Sequence, residues 1–229
     1  MKTAIIIFPG SNCDRDIKVA IKFCTGIEPL MIWHEDKLAS KIDLVIIPGG
    51  FSYGDYLRSG SIAAQSPIME DIVLKSNQGL PVVGICNGFQ ILTEAGLLPG
   101  ALIRNSNLNF ICKNSFIKIE NKKSIFSSKF IDQSIISLPI AHKHGNYFAS
   151  DKVLKNLEEN DRVIFRYCDE KGLINNSANP NGSKNNIAGI INDKGNILGM
   201  MPHPERSINA SFDEMKGLNI FKSLYEVLL

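Results

Sequence analysis

One cysteine stands where a predicted strand ends and a predicted helix begins. Cys86 lies in the segment 83–90 (VGICNGFQ), with Gly84 and Gly88 two residues to either side. This is the spacing of a nucleophile elbow, with cysteine in place of serine. The glycines would allow a sharp turn that lifts the thiol above the carboxyl ends of the strands, and a helix N-terminus lowers a thiol pKa from about 8.5. The segment predicts a thiol nucleophile, with the backbone N–H of Asn87 facing the oxyanion.

A second pair of reactive groups lies near the end of the chain. His203 and Glu205 are two residues apart in the segment 201–205 (MPHPE). Pro204 biases His203 toward an extended backbone, which would place both side chains on one face. The carboxylate could then hold one ring nitrogen while the other acts as base and then as acid. With Cys86 these residues predict a nucleophile, a base and an orienting carboxylate; an exposed histidine in a proline-rich turn is the alternative.

A glycine-rich segment follows the third predicted strand. Residues 48–56 read PGGFSYGDY, which matches neither the GxGxxG nor the GxxxxGK[ST] phosphate-binding pattern. In a doubly wound sheet this loop would lie beside the turn at Cys86, where a glycine can aim a second backbone N–H at the oxyanion. A plain glycine-rich turn is the alternative interpretation.

Other histidines and cysteines carry weaker signals. His142 and His144 form an H-x-H pair without a further metal ligand close in sequence, so we expect substrate or partner contact or a packing role, and no metal site. The five cysteines are odd in number and form no CxxC pair, which argues against disulfides and zinc. The four other than Cys86 are expected to be packing residues that tolerate replacement. They are Cys13, Cys24, Cys112 and Cys168.

In the first half of the chain, the sequence predicts strands and helices that alternate. Apolar runs predict strands at residues 3–8, 29–33, 43–47 and 81–85. Helical spacing predicts helices at residues 14–25, 67–76 and 87–95. This order indicates an α/β fold with an open, doubly wound, mostly parallel sheet.

The pattern changes after residue 100. Shorter strands, antiparallel or mixed, are predicted at residues 101–104, 116–120, 162–167, 188–192 and 197–201, and an amphipathic helix at 213–228. The polar stretch 175–186 (NNSANPNGSKNN) is interpreted as a surface loop. Because no linker separates the two halves, we expect one domain over residues 1–229.

Composition places the chain among ordinary globular proteins. Of its 229 residues, 44% are apolar and 21% charged. A net charge of +2 gives no reason to expect nucleic acid as a partner. The first apolar run, residues 4–8, is shorter than the roughly 7 to 15 residues of a signal peptide, and no run approaches the roughly 20 that span a bilayer. We therefore expect a cytoplasmic protein with no membrane partner.

Five blocks of sequence give the chain a family resemblance. They are 8–14 (FPGSNCD), 48–58 (PGGFSYGDYLR), 84–92 (GICNGFQIL), 94–100 (EAGLLPG) and 199–206 (GMMPHPER). In this order they resemble the class I glutamine amidotransferases, in particular glutaminase subunits that serve a separate synthetase of purine biosynthesis. Each block alone would be a weak signal, and together they are specific.

The resemblance implies a fold and a reaction. The fold would be a flavodoxin-like sheet with additional antiparallel strands in the C-terminal half. The reaction would be hydrolysis of glutamine to glutamate and ammonia through a cysteine thioester. By position, Cys86 corresponds to the nucleophile, His203 to the base and acid, and Glu205 to the residue that orients the histidine.

The resemblance also implies substrate contacts and partners. Gly50 and Asn87 would form the oxyanion hole, and Gln90, His142 and Asn146 would contact glutamine. The ammonia would pass to a large synthetase subunit that uses ATP and Mg²⁺, and a small third subunit would join the complex. No cofactor is implied on this chain itself.

Two other functions remain open from the residues alone. A stand-alone cysteine hydrolase would use the same nucleophile and base without a synthetase. A non-catalytic ligand-binding module of the same fold would use neither, and would leave the H-P-E segment and the glycine-rich loop unexplained. Labelling of the thiol by a glutamine-like electrophile separates an enzyme from a binding module, and dependence on a synthetase separates the two enzymes.

Overall fold

Strands and helices alternate in the first half of the chain, as the apolar pattern predicts. The computed structural model describes residues 1–130, 134–209 and 214–228. The strands of this half are β1 (Thr3–Ile7), β2 (Leu30–Trp33), β3 (Leu44–Ile47) and β4 (Val82–Ile85), and the helices are α1 (Asp14–Thr25), α2 (Pro67–Asn77) and α3 (Asn87–Glu94). Every residue of β3 and β4 is buried, as expected of parallel strands that are covered on both faces.

The second half of the chain extends the same sheet with antiparallel strands. Its strands are β5 (Ala101–Ile103), β6 (Ile111–Ile119), β7 (Ile135–His142), β8 (Asn146–Phe148), β9 (Val163–Cys168), β10 (Ile187–Ile191) and β11 (Ile197–Met200), and its helices are α4 (Asp151–Glu159) and α5 (Asn219–Leu228). Over the described residues, nine strands form one sheet in the order β2-β1-β3-β4-β11-β10-β9-β6-β7, while β5 pairs with β8. The strands from β2 to β11 are parallel and the others antiparallel. This confirms the predicted fold class.

The sequence pattern does not predict three elements of the second half, which are β7, β8 and α4. Pro139 interrupts β7, and a proline argues against a strand when only the sequence is read. The strand nevertheless forms because it pairs with β6 from Ile111↔His142 to Lys118↔Ile135. The same pairing explains why β6 begins at Ile111 rather than at residue 116.

The predicted last helix and the predicted surface loop both need correction. Residue 213 lies outside the described residues, residues 214–218 form a 3-10 turn, and α5 begins only at Asn219. Residues 175–186 do not lie wholly on the surface, since Asn181, Ser183 and Asn186 are buried. Their side chains bond to backbone atoms, as when Asn186 Nδ2 donates to the carbonyl oxygen of Tyr167 at 3.1 Å. These polar side chains supply the hydrogen-bond partners that buried backbone groups need where no neighbouring strand or helix provides them.

The helices of the described residues are short compared with a membrane-spanning helix. The longest α-helix in the described part of the chain, α1, has 12 residues. None of the helices there has the length and apolar character that a membrane crossing needs.

The glycines around Cys86 permit close packing rather than a special backbone turn. The residue with a positive φ is Cys86 itself, at φ 52° and ψ −104°, whereas Gly84 and Gly88 have none. A Cβ on Gly84 would lie 2.6 Å from the carbonyl oxygen of Gly88, and a Cβ on Gly88 would overlap the carbonyl oxygen of Ile47. The start of α3 therefore packs directly on the strand backbones.

Substituting Gly88 tests this packing. Gly88→Ala should lower the free energy of unfolding by about 3 kcal/mol or more, the upper range for overpacking, because a strand carbonyl cannot move aside. Gly195→Ala is the control: it has open space around it and a φ of 73°, so it should cost only about 1 to 2 kcal/mol of left-handed backbone strain. Urea unfolding of both variants checks the difference. Equal losses would contradict the packing explanation.

Candidate functional site

The thiol of Cys86 is held at a strained turn that follows the carboxyl end of β4. Its backbone N–H donates to the carbonyl oxygen of Met200 at 2.7 Å, which ties the end of β4 to the end of β11. The next residue, Asn87, begins α3. A left-handed φ at a residue other than glycine is costly and is concentrated at functional sites. As the sequence predicts, the thiol sits at the carboxyl ends of the parallel strands and at a helix N-terminus; the structure adds that it is largely buried.

His203 and Glu205 form a buried pair. The Nδ1 atom of His203 lies 2.6 Å from Oε1 of Glu205, and each residue is 1% exposed. The backbone N–H of His203 donates to the carbonyl oxygen of Pro139 on β7 at 2.8 Å. The predicted contact is confirmed, but the residues after His203 are not extended. A 3-10 helix begins at Pro204, and that turn carries the carboxylate back to the ring.

Electrostatics favours a protonated His203. Burial is the largest influence on its pKa and lowers it, but the charges of Glu205 and Cys86 together raise the pKa well above its usual value. The Nε2 atom of the ring is buried and has no hydrogen-bond partner among the described residues. The ring can therefore exchange a proton at Nε2 while Nδ1 stays on the carboxylate.

Gly49 lies between His203 and Cys86. A Cβ placed on this residue would lie 2.8 Å from Cε1 of His203 and 3.4 Å from Cβ of Cys86. A side chain at this position would displace the imidazole. The bare backbone of Gly49 is therefore the surface on which the two reactive groups converge.

Two backbone N–H groups beside the thiol are free to bind an anion. Gly50 has φ 144°, and a Cβ there would lie 2.8 Å from the carbonyl oxygen of Gly10. A bridge between Ser11 and Gly50 fixes this backbone. Across the described residues, the N–H groups of Gly50 and Asn87 have no hydrogen-bond acceptor. They suit an oxyanion hole, and that role stays a prediction.

A chain of side-chain hydrogen bonds connects the loops around the site. The backbone N–H of Ser52 donates to Oδ1 of Asn87 at 3.1 Å, and Nδ2 of Asn87 donates to Oε1 of Gln90 at 2.7 Å. Gln90 in turn donates through Nε2 to the carbonyl oxygen of His144 at 2.6 Å. The sequence predicts a substrate contact for Gln90, and that role stays a prediction. In the structure its amide joins Asn87 to the loop after β7, and Asn87 in turn holds the glycine-rich loop.

The two other predicted substrate contacts lie on different strands, His142 at the end of β7 and Asn146 at the start of β8. His142 is buried, with Nδ1 3.1 Å from Oδ1 of Asn105. Burial, and then the charge of His203, lowers the pKa of His142 to about 4, so the ring is neutral near pH 7. Asn146 lies on β8 opposite Ile103, and no hydrogen bond joins it to the residues above within the described chain. Both roles stay predictions.

Cys13 joins the site although the sequence indicates a packing role for it. Its sulfur accepts a hydrogen bond from Nη2 of Arg206 at 3.1 Å. The sulfur, a ring nitrogen of His203 and a carboxylate oxygen of Glu205 lie within 4.8 Å of one another. Such a set could ligate zinc, but the cationic guanidinium on the sulfur opposes a second cation there. A signal was present, because Cys13 follows β1 at the same edge of the sheet as Cys86.

Comparisons with known proteins point to one family. The chain matches the model of the CobB/CobQ-like glutamine amidotransferase domain over residues 1–223. It is 52% identical over 229 residues to phosphoribosylformylglycinamidine synthase subunit PurQ of Zymomonas mobilis subsp. mobilis, covering 100% of both chains. It is 49% identical over 224 residues to the subunit of the same name from Chlorobium luteolum, covering 98% of this chain and 97% of that one.

A solved structure agrees with these relatives. A chain in the structure of PurLQS from Thermotoga maritima matches with a TM-score of 0.87 and 39% identity, covering 100% of this chain and 99% of that chain. The family resemblance drawn from the five sequence blocks is thereby confirmed.

Removing the charge of Glu205 tests the electrostatics of the pair. In Glu205→Gln the burial that lowers the pKa of His203 is no longer opposed by the neighbouring carboxylate, so this pKa should fall. NMR titration of the four histidines in the wild-type chain and the variant measures the change. Glu94→Gln, which removes a surface partner of Arg58, is the control. An unchanged His203 pKa in Glu205→Gln would contradict the assignment.

Proposed function

The chain belongs to the CobB/CobQ-like glutamine amidotransferase domain family, and on this basis we propose that it is the glutaminase subunit of a phosphoribosylformylglycinamidine synthase. One observation carries the proposal. A strained thiol at a helix N-terminus faces a buried histidine–glutamate pair, in a chain that matches subunits of this name over its full length.

The proposed reaction uses Cys86, His203 and Glu205 as a catalytic triad. The thiolate attacks the side-chain amide carbon of glutamine, and the N–H groups of Gly50 and Asn87 stabilise the oxyanion. His203 protonates the departing nitrogen through Nε2, which releases ammonia and leaves a thioester on Cys86. The neutral ring then takes a proton from water, hydroxide adds to the thioester, and glutamate leaves as the thiolate re-forms.

Glu205 contributes mainly in the transition state. Its carboxylate stabilises a positive charge on His203 that is present while the thiolate and the leaving amine react. Removing that charge should lower turnover more than it changes the apparent affinity for glutamine. A pure affinity defect would place Glu205 in substrate binding instead.

The ammonia is proposed to serve a separate subunit. A synthetase chain would use ATP and Mg²⁺ to activate the acceptor, and this chain would need no cofactor of its own. A small third subunit completes the proposed complex. The PurLQS structure of the Thermotoga maritima relative supports such an assembly.

The geometry of the glycine-rich loop suggests how a partner controls hydrolysis. Tyr53, Asp55 and Leu57 all have positive φ, at 52°, 57° and 65°. Tyr56 and Leu57 are 74% and 88% exposed. A strained loop with exposed apolar tips beside the oxyanion hole is poised to be reset by contact with the synthetase.

Replacing the nucleophile separates the two half-reactions of the proposed complex. Cys86→Ala should abolish glutamine-dependent synthesis by the assembled complex and leave synthesis from an added ammonium salt unchanged, because the thiol acts only in releasing ammonia. Cys112→Ala, at an exposed position, is the control and should retain both activities. Continued use of glutamine by the Cys86→Ala complex would exclude Cys86 as the nucleophile.

Activity of the isolated chain tests its dependence on the synthetase. We expect the chain alone to hydrolyse glutamine about 10²- to 10³-fold more slowly than the complex, the effect of misaiming one oxyanion donor. Steady-state glutaminase rates are measured for the chain alone and with the synthetase, its nucleotide and its acceptor substrate. Equal rates would contradict the coupling and favour a stand-alone hydrolase.

A further inference from the structure

Cys13 is a buried thiol that the proposed reaction does not use. It is 1% exposed and directly precedes α1. A Cβ placed on Gly49 would lie 3.2 Å from its sulfur and 2.8 Å from Cε1 of His203. The sulfur therefore reaches the same bare glycine backbone as the catalytic imidazole, from the β1 side of the sheet.

Arg206 fixes the position of this sulfur. Its Nη2 atom donates to Sγ of Cys13 at 3.1 Å, and its Nε atom lies 3.9 Å from Oδ2 of Asp16 on α1. Arg206 follows Glu205 in the same 3-10 turn. The turn that carries the carboxylate is thus held against the start of α1 through the thiol.

One hydrogen bond does not fix the orientation of an imidazole. The bond from Nδ1 of His203 to Glu205 sets one distance and leaves the ring able to tilt about that contact. The sulfur of Cys13 lies within 4.8 Å of a nitrogen of this ring, and it is one of the groups that raise the pKa of His203. The bulky sulfur atom beside the imidazole limits how far the ring can tilt. It does so without adding a second negatively charged carboxylate next to Glu205.

The loop that carries Cys13 also holds the oxyanion loop. The carbonyl oxygen of Gly10 accepts from the N–H of Phe51 at 3.0 Å, and that of Pro9 accepts from the N–H of Tyr53 at 2.7 Å. The N–H of Cys13 donates to the carbonyl oxygen of Gly49 at 3.3 Å. Residues 9–13 therefore contact both the anion-binding backbone and the base.

We propose that Cys13 is a positioning residue of the hydrolytic site: its sulfur, held by Arg206, fixes the orientation of the His203 ring. This inference rests on the proposed glutaminase function. Cys13 does not touch the substrate in this role and acts through the imidazole. It adds a side chain to the site that the sequence pattern assigned to packing.

The test uses the complete complex with its synthetase. Cys13→Ala should lower kcat for glutamine hydrolysis about tenfold, because small displacements of a catalytic group cost one to two orders of magnitude. KM for glutamine should change by less than about twofold, since the substrate contacts are intact. Cys13→Ser, which keeps an acceptor for Arg206, should recover kcat to within about threefold of wild type. Synthesis from an ammonium salt should be unchanged in both variants.

Two controls separate positioning from structure. Cys168→Ala removes an equally buried thiol on β9 and should keep kcat. Arg206→Met keeps the thiol of Cys13 but removes the hydrogen bond that holds its sulfur. This variant should lower kcat, as Cys13→Ala does. The pH limb of kcat that reports His203 should move to lower pH in Cys13→Ala, because one of the groups that raise the pKa of the ring is gone.

The outcomes are distinguishable. A Cys13→Ala complex with kcat within about twofold of wild type, or one whose loss of kcat is matched by Cys168→Ala, would overturn the proposal. If the wild-type complex used no glutamine, the proposed function would fail by itself. A crystal structure of the isolated Cys13→Ala chain would then still decide the matter, because an unchanged orientation of the His203 ring would refute positioning and a tilted ring would support it.

Discussion

A carboxylate in the protein interior sets the main constraint on this molecule. Glu205 is 1% exposed, and an ionised group so deeply buried costs several kcal/mol unless it is paired. The imidazole of His203 supplies that pairing at 2.6 Å. Both residues of the pair must then be anchored by the rest of the fold, because neither can turn toward water without leaving the other uncompensated.

The anchoring comes from distant parts of the chain. The backbone of His203 is held by Pro139 on β7, and the residue after the carboxylate reaches Cys13 before α1. The sheet itself does the rest. Because β11 lies next to β4 and parallel to it, residues leaving both strands emerge at one edge, which brings the H-P-E segment to the thiol of Cys86. The reactive residues are far apart in sequence and adjacent because of strand order.

Glycines determine how closely these groups approach. Gly88 lets α3 begin directly on the backbone of β3, and Gly49 leaves room for the imidazole of His203 beside Cys86. Gly50, the next residue, has a backbone conformation that residues with side chains rarely adopt. The site is therefore built largely from bare backbone, which gives fixed dipoles and excludes flexible side chains from the region where charge develops.

The sequence alone determined the parallel half of the fold and predicted the three residues of the proposed triad. Continuous apolar strands, helical spacing and the G-x-C-x-G segment are local signals, and they correctly predicted β1 to β4, α1 to α3 and a thiol at a strand end. The H-P-E spacing correctly predicted that Glu205 reaches His203, although through a 3-10 turn that Pro204 begins rather than an extended chain. Tertiary structure decided the features that depend on contacts between residues far apart in the sequence. It formed β7 despite Pro139 through pairing with β6, buried Asn181 and Ser183 in a stretch polar enough for a surface loop, and brought Cys13 to His203. In each case the deciding contact joins residues that no local pattern connects, so burial and strand pairing outweighed the local preference.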